Sequence, residues 1–144
     1  MSKQYSYAKG RIEESVKFVS GEMEEFSQDY QSQSWKTYQE DKKIQKLMDR
    51  TVENILTALI EICGTVLAEE GIATDNYAET LRQAGKYFDF SEEEQTQLSR
   101  LAVLRNRLAH RYLNFRWQVI STYKDQQELI QGLLRKVLRR EEII

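Results

Sequence analysis

The sequence contains few of the residues that interrupt helices or cross-link a chain. Among its 144 residues there is no proline, and there are only six glycines and one cysteine. Because proline and glycine are the strongest helix breakers, their scarcity indicates an all-helical protein. The lone Cys63 cannot form an internal disulfide, which fits a reducing cytoplasm, and its apolar neighbours Ile60, Ile62 and Val66 predict a packing role.

Other absences exclude classes of function. The apolar runs are only a few residues long, so no segment is expected to span a membrane. Lys3, Lys9 and Arg11 are not followed by the apolar stretch of a signal peptide. The sequence has no zinc-ligand cluster, no glycine-rich phosphate loop, and no serine or cysteine beside a base, so neither a metal nor a cofactor is expected.

Five helical segments are predicted from the spacing of apolar residues. The first runs from about Lys9 to Tyr30, and its apolar residues recur at alternating steps of four and three, as in a packed bundle. The second, from about Trp35 to Glu70, would be roughly 50 Å long, long enough to bend or break. Gly71 lies where this helix would end.

The other segments are marked by helix caps. Capping-box patterns at Asn76–Glu79 and Ser91–Glu94 open a short third segment, which reaches about Phe88, and a fourth, which ends between His110 and Phe115. The fifth runs from about Val119 to Arg140. This pattern predicts one domain over residues 1–144, an up-and-down bundle of four to five helices.

Residues 105–112 are the most informative part of the sequence. They read Arg-Asn-Arg-Leu-Ala-His-Arg-Tyr and contain the only histidine of the chain, His110. Arg105 lies at helical spacing on an apolar stripe formed by Leu98, Leu101, Leu108 and Tyr112. A guanidinium on a stripe that should face the core is costly unless it is paired or held at a functional surface.

Positive charge is concentrated around this segment. The net charge of the chain is only −2. No Asp or Glu lies between Gln95 and Lys124, however, whereas five arginines do: Arg100, Arg105, Arg107, Arg111 and Arg116. A local positive field attracts phosphates even on an acidic protein.

The geometry of the segment leaves two arrangements open. Asn106 and His110 share a face of a regular helix, whereas Arg105 and His110 lie about 140° apart at roughly 100° per residue. Either the helix distorts near His110, or a two-fold dimer brings two copies of each residue into one cleft. A third interpretation is that His110 merely hydrogen-bonds near a helix end while the arginines line a solvated face.

Arg105, Asn106, His110 and Tyr112 match an Arg-Asn-x3-His-x-Tyr signature, and by it the chain resembles the HEPN superfamily. It is most similar to the HepT-like toxins of HEPN/minimal-nucleotidyltransferase toxin–antitoxin systems. The resemblance covers nearly the whole chain, including its size, its long second helix and the motif late in the fourth. It implies a dimeric HEPN-type bundle and a metal-independent endoribonuclease toxin of a type VII-like pair.

The resemblance also assigns roles. It implies that His110 is the general base or acid toward the ribose 2′-hydroxyl and the leaving oxygen. It also implies that Arg105 stabilises charge on the phosphate and that Asn106 orients the histidine or the phosphate. Contacts with RNA are expected from Arg100, Arg107, Arg111 and Arg116. The implied antitoxin, a minimal nucleotidyltransferase, would add AMP to Tyr112 and place negative charge beside the catalytic residues.

Alternatives remain open from the residues alone. Tyr112 continues the leucine stripe and could be a core aromatic. The chain could also be a non-catalytic helical module that binds a nucleotide or substrate beside a nucleotidyltransferase, or a purely structural bundle. RNA cleavage that is lost on changing His110 would separate the ribonuclease from both.

Overall fold

The chain forms six α-helices and one short 3-10 helix in this computed structural model, which describes the backbone of residues 2–143 and the side chains of residues 10–142. The helices are α1 (Ser2–Asp29), α2 (Trp35–Glu40), α3 (Lys42–Glu69), α4 (Tyr77–Tyr87), α5 (Glu92–Arg105), the 3-10 helix (Asn106–Ala109) and α6 (Leu113–Ile143). No strand occurs within residues 2–143. The all-α prediction is confirmed. Lys3 and Lys9, which the sequence analysis considered in arguing against a signal peptide, lie outside the described side chains.

The predicted second helix is divided at Asp41 into two helices, α2 and α3. The backbone of Asp41 is extended, at φ −108° and ψ 99°. Its carboxylate accepts hydrogen bonds from the backbone N–H groups of Lys43 and Ile44, each at 3.1 Å, and so caps α3. Asp41 thereby satisfies N–H groups that would otherwise lack partners at the start of α3, which stabilises the break.

The predicted caps of the third and fourth segments are present. The Asn76 side chain accepts a hydrogen bond from the backbone N–H of Glu79 at 2.9 Å. Ser91 and Glu94 form a complete capping box at the start of α5, with bonds of 3.1 and 2.9 Å. Gly71, at φ +72°, follows the end of α3, as its position in the sequence predicts. The fifth predicted segment begins earlier than expected, at Leu113 rather than Val119.

The core is built around α3, which contacts each of the other five α-helices. Its buried residues include Met48, Val52, Ile55, Leu59, Ile62 and Val66. The apolar seam predicted for α1 packs against it, with Ile12, Val16, Val19, Met23 and Phe26 all buried. Each such fully buried side chain contributes about 1.5–3 kcal/mol to folding. Cys63 is fully buried, and burial raises the pKa of its thiol to about 12, in keeping with the predicted packing role.

The expectation that no segment is apolar enough to span a membrane is wrong for α3. By length and composition alone this helix would qualify, with a mean hydropathy of 1.5 over its most apolar window. However, 61% of that window is buried inside the bundle. Packing by five neighbouring helices therefore accounts for the apolar composition of α3.

Candidate active site at the end of α5

The fourth predicted helix distorts just before the histidine. The α-helical part ends at Arg105, residues Asn106–Ala109 form a 3-10 turn, and His110 is extended at φ −76° and ψ 141°. The 140° angle expected between Arg105 and His110 assumed a regular helix through residue 110, so it does not apply. Of the two arrangements left open above, the helix distortion is present.

The distortion removes Tyr112 from the apolar stripe. Leu98, Leu101 and Leu108 are buried as predicted, whereas the Tyr112 side chain is 50% exposed. The alternative interpretation of Tyr112 as a core aromatic is therefore wrong. Its ring and hydroxyl lie at the surface, between the 3-10 helix and α6.

Arg105 is held by side chains of α3 and α4. Its Nε donates a hydrogen bond to Oγ1 of Thr57 on α3 at 2.8 Å, and its guanidinium carbon lies 6.0 Å from the centroid of the Tyr77 ring on α4. The half-buried guanidinium thus has a hydrogen-bonding partner and an aromatic neighbour, which offset the cost of placing it on the apolar stripe.

Two adjoining cavities share the Arg105 side chain. The larger, about 410 Å³, lies between α1 and α3 and is lined by Glu14, Glu53 and Glu61 among others. The smaller, about 270 Å³, lies towards α4 and includes Tyr77 in its lining. The glutamates give the larger cavity an acidic side, which disfavours a phosphate group there as long as this surface has no partner.

His110 lies in a cluster of exposed rings. Its ring centroid is 4.9 Å from that of Tyr112 and 4.8 Å from that of Phe115, the latter edge-on at 86°. Its Nδ1 accepts the backbone N–H of Tyr112 at 3.3 Å. A neutral imidazole in this arrangement carries its proton on Nε2. The contact is long and exposed, so exchanging it for a substrate group costs little.

The predicted RNA-contacting arginines differ in their surroundings. Arg107 and Arg111 are exposed; Arg107 donates to Oε1 of Gln118 at 2.9 Å, and the Arg111 guanidinium carbon lies 5.2 Å from the Tyr112 ring centroid. Arg100 is exposed on α5, and Asn106 is exposed directly after its end. These positions leave all four side chains accessible to a ligand, which is the condition that their predicted roles require.

Arg116 is engaged inside the protein. Its Nη1 pairs with Oδ2 of Asp49 at 2.9 Å, and its Nη2 donates to Oε1 of Gln45 at 3.2 Å. The other carboxylate oxygen of Asp49 accepts from the buried Tyr38 hydroxyl at 2.6 Å. Burial raises the pKa of Asp49, while the Tyr38 and Arg116 hydrogen bonds oppose this rise. Binding RNA directly would require Arg116 to leave these partners.

The structure therefore groups some of the predicted site residues and separates others. His110, Arg111 and Tyr112 lie together, with Phe115, which the sequence analysis did not single out. Within the described part of the chain, no hydrogen bond joins Arg105 to His110. The hydrogen-bond network of Tyr38, Gln45 and Asp49 was also not anticipated. The signal in the sequence that could have pointed to it is an aspartate beside Met48 and near Val52, on an otherwise apolar helix.

No group of three or more His, Cys, Asp or Glu side chains that could hold a metal ion occurs among the described residues.

Comparison with known proteins finds a family model described as "Ribonuclease HepT-like", which matches residues 13–137. The matched range contains every predicted site residue. No curated protein matches significantly.

Proposed function

Because the chain belongs to the HepT-like ribonuclease family, we propose that it is a metal-independent endoribonuclease toxin in which His110 and Arg105 act on the phosphodiester. The observation that carries this proposal is the placement of the only histidine. His110 is exposed on an extended residue directly after a distorted helix end, next to the exposed Arg107 and Arg111. An exposed imidazole among arginines can exchange protons beside a bound phosphate.

The proposed reaction is an attack by the ribose 2′-hydroxyl on the adjacent phosphorus. A base removes the hydroxyl proton, the P–O bond to the 5′-oxygen breaks, and a general acid or water supplies the proton with which that oxygen leaves. The products are a 2′,3′-cyclic phosphate and a 5′-hydroxyl end. To act as the base, the neutral His110 ring exchanges the Tyr112 backbone N–H on Nδ1 for the 2′-hydroxyl.

Arg105 is proposed to stabilise the negative charge that develops on the phosphate, and Asn106 to orient the phosphate or His110. In this chain Arg105 points to Thr57 and Tyr77 and has no hydrogen bond to His110. We therefore propose a homodimer in which Arg105 of one protomer and His110 of the other complete one cleft. Phe18 and Val103 are exposed apolar side chains near Arg105. A second copy would cover a surface of this kind.

The proposed antitoxin is a minimal nucleotidyltransferase that adds AMP to Tyr112. In this step the Tyr112 hydroxyl oxygen attacks the α-phosphorus of ATP, pyrophosphate leaves, and the hydroxyl proton is released. The half-exposed Tyr112 is accessible, and its hydroxyl already accepts a hydrogen bond from Arg111 at 3.3 Å. The added phosphate would pair with Arg111 and hinder an RNA phosphate from approaching His110.

The test of the proposal is cleavage of RNA by the purified chain in the presence of EDTA. The expected result is cleavage that EDTA does not change and that His110→Ala abolishes. A chain that binds nucleotides or RNA but cleaves neither would instead be the non-catalytic module considered above. Cleavage that EDTA stops would contradict the metal-independent mechanism.

A further inference from the structure

We infer that Thr57 on α3 is a positioning residue for the cleavage reaction, because its hydroxyl holds Arg105 with the Nη1 and Nη2 groups left for the scissile phosphate. The inference rests on the proposed function for the reaction and for the role of Arg105. It goes beyond that function because it adds a residue from another helix and names the part of the arginine that meets the substrate.

The first observation is which nitrogen of Arg105 is already bonded. Nε donates to Oγ1 of Thr57 at 2.8 Å, while Nη1 and Nη2 have no hydrogen-bond partner within the described part of the chain. A guanidinium carries five N–H donors in one rigid plane, so a bond that fixes Nε also sets the direction of the other four. These four include the parallel pair on Nη1 and Nη2 that matches two oxygens of a phosphate.

The second observation is that Arg105 forms no ion pair with the carboxylates around it. Glu53, Thr57 and Glu61 follow one another at steps of four on α3, so they lie along one face of that helix. All three line the larger cavity together with Arg105. The ion pairs among the described residues do not include Arg105, whose bond goes instead to the neutral hydroxyl between the two glutamates. A guanidinium held by a hydroxyl keeps its charge for a phosphate, whereas a paired carboxylate would largely neutralise it.

The third observation is that Thr57 uses its hydroxyl differently from the other threonines of α3. Thr51 and Thr65 each donate to the backbone carbonyl one turn earlier, at 2.7 and 2.9 Å. This is a common arrangement for a threonine inside a helix. Within the described part of the chain, the Thr57 hydroxyl has no such bond and accepts from Arg105, which is 48 positions away in sequence. The hydroxyl therefore joins two helices instead of bonding to its own backbone.

The contact between Arg105 and Tyr77 does not replace this bond. The guanidinium carbon lies 6.0 Å from the centroid of the Tyr77 ring, at the outer limit of a cation–π interaction. Attraction to the face of a ring does not select one N–H group of the guanidinium. Thr57 accepts one particular N–H, so the direction in which Nη1 and Nη2 point depends on its hydroxyl.

The experiment compares two substitutions that remove different parts of the Thr57 side chain. Thr57→Val keeps the branched shape without the hydroxyl, and Thr57→Ser keeps the hydroxyl without the methyl group. Single-turnover cleavage of an RNA oligonucleotide at increasing protein concentration gives the maximal rate and the half-saturating concentration. Thr57→Val should lower the maximal rate by about tenfold or more and change half-saturation by less than about threefold, because a hydrogen bond to a charged group is lost from the transition state. Thr57→Ser should retain a maximal rate within about threefold of wild type.

A role of Thr57 in packing alone predicts the opposite order, because serine leaves a gap the size of a methyl group and valine does not. Thr65→Val is the matched control, since it makes the same change on α3 where the hydroxyl bonds to its own helix. It should leave the rate unchanged. In an Arg105→Ala background, Thr57→Val should lower the remaining rate by less than about twofold, because the hydroxyl has no arginine to hold.

A second measurement does not depend on cleavage. The Nε–H signal of Arg105, identified by its loss in Arg105→Lys, can be followed in heteronuclear NMR spectra. Its proton should exchange with solvent at least about tenfold faster in Thr57→Val than in wild type or Thr57→Ser, because the bond to Thr57 protects it. Equal exchange in wild type and Thr57→Val would overturn the inference, as would cleavage by Thr57→Val at the wild-type rate or slower cleavage by Thr57→Ser than by Thr57→Val. If the wild-type chain does not cleave RNA, the proposed function fails, whereas the exchange rates still decide whether Thr57 holds Arg105.

Discussion

Arg116 on α6 forms an ion pair with Asp49 on α3, with 2.9 Å between Nη1 and Oδ2, although the two residues are 67 positions apart in sequence. The pair joins the first turn of α6 to the central helix, directly after the loop that holds His110 and Tyr112. Both side chains are largely buried, at 19% and 12% exposure. The charge pair therefore contributes, with the packing of Leu113 and Trp117, to holding the candidate active site against the core.

We predict that Asp49→Ala lowers the free energy of unfolding by about 2–4 kcal/mol. Removing one partner of a buried pair leaves the other charge without compensation, and the Tyr38 hydroxyl would lose its acceptor as well. Urea denaturation followed by circular dichroism would measure the loss. Asp125→Ala, which removes an exposed carboxylate from α6, should change stability by less than about 0.5 kcal/mol. Equal stabilities for both variants would contradict the role of the pair.

Substitution of the proposed catalytic residues should abolish cleavage without unfolding the protein. His110→Ala and Arg105→Ala are each expected to reduce the cleavage rate by on the order of 10²–10³-fold, because a general base or a charge-stabilising donor contributes about that much. Expression of either variant should no longer inhibit growth. Leu47→Ala, at an exposed position on α3, serves as the control. The mechanism would be wrong if His110→Ala cleaved RNA at the wild-type rate.

Mixing the two inactive variants tests whether the site is shared. In a dimer whose clefts combine Arg105 of one protomer with His110 of the other, a mixed dimer retains one intact cleft. Random exchange makes half of all dimers mixed, so about a quarter of the wild-type activity should return. Sedimentation should report twice the monomer mass. If no activity returned although mixed dimers had formed, both residues would have to act within one chain.

Tyr112→Phe should escape modification while keeping its ring. Incubation of the wild-type chain with a partner nucleotidyltransferase, ATP and magnesium should add the mass of AMP and stop RNA cleavage. The Phe variant lacks the nucleophilic oxygen, and since Tyr112 is half exposed its fold should be unaffected. Intact-mass spectrometry decides the outcome, and an AMP adduct on the Phe variant would place the target at one of the other tyrosines.

The start of α5 should make stability depend on pH. Glu94 accepts the backbone N–H of Ser91, and this hydrogen bond lowers the pKa of its carboxyl in the folded state. A lowered folded pKa means that the stabilisation is present above the unfolded value of about 4.3 and is lost as the pH falls through the folded pKa. Wild type should therefore lose stability relative to Glu94→Gln on acidification. Parallel urea midpoints for the two proteins from pH 6 to pH 3 would contradict this prediction.

Much of the fold is encoded locally and could be read from the sequence. The four-and-three spacing of Ile12, Val16, Val19 and Met23 requires only that one helix face be apolar, and that face is buried. The caps at Asn76 and Ser91 act on N–H groups within three residues, so their effect is independent of the rest of the chain. The family signature is likewise a pattern of sequence neighbours.

The site itself was decided by contacts between distant segments. Thr57 and Tyr77 hold Arg105, and Asp49 and Gln45 hold Arg116, across separations that no periodicity encodes. The end of α5 at Arg105, rather than beyond His110, exposes Tyr112 and places its ring 5.9 Å from that of Phe115. The sequence by itself determined which residues are available for chemistry, because composition and spacing are local properties. Only the tertiary structure decided which of them meet, because a side chain's partners depend on how the helices pack.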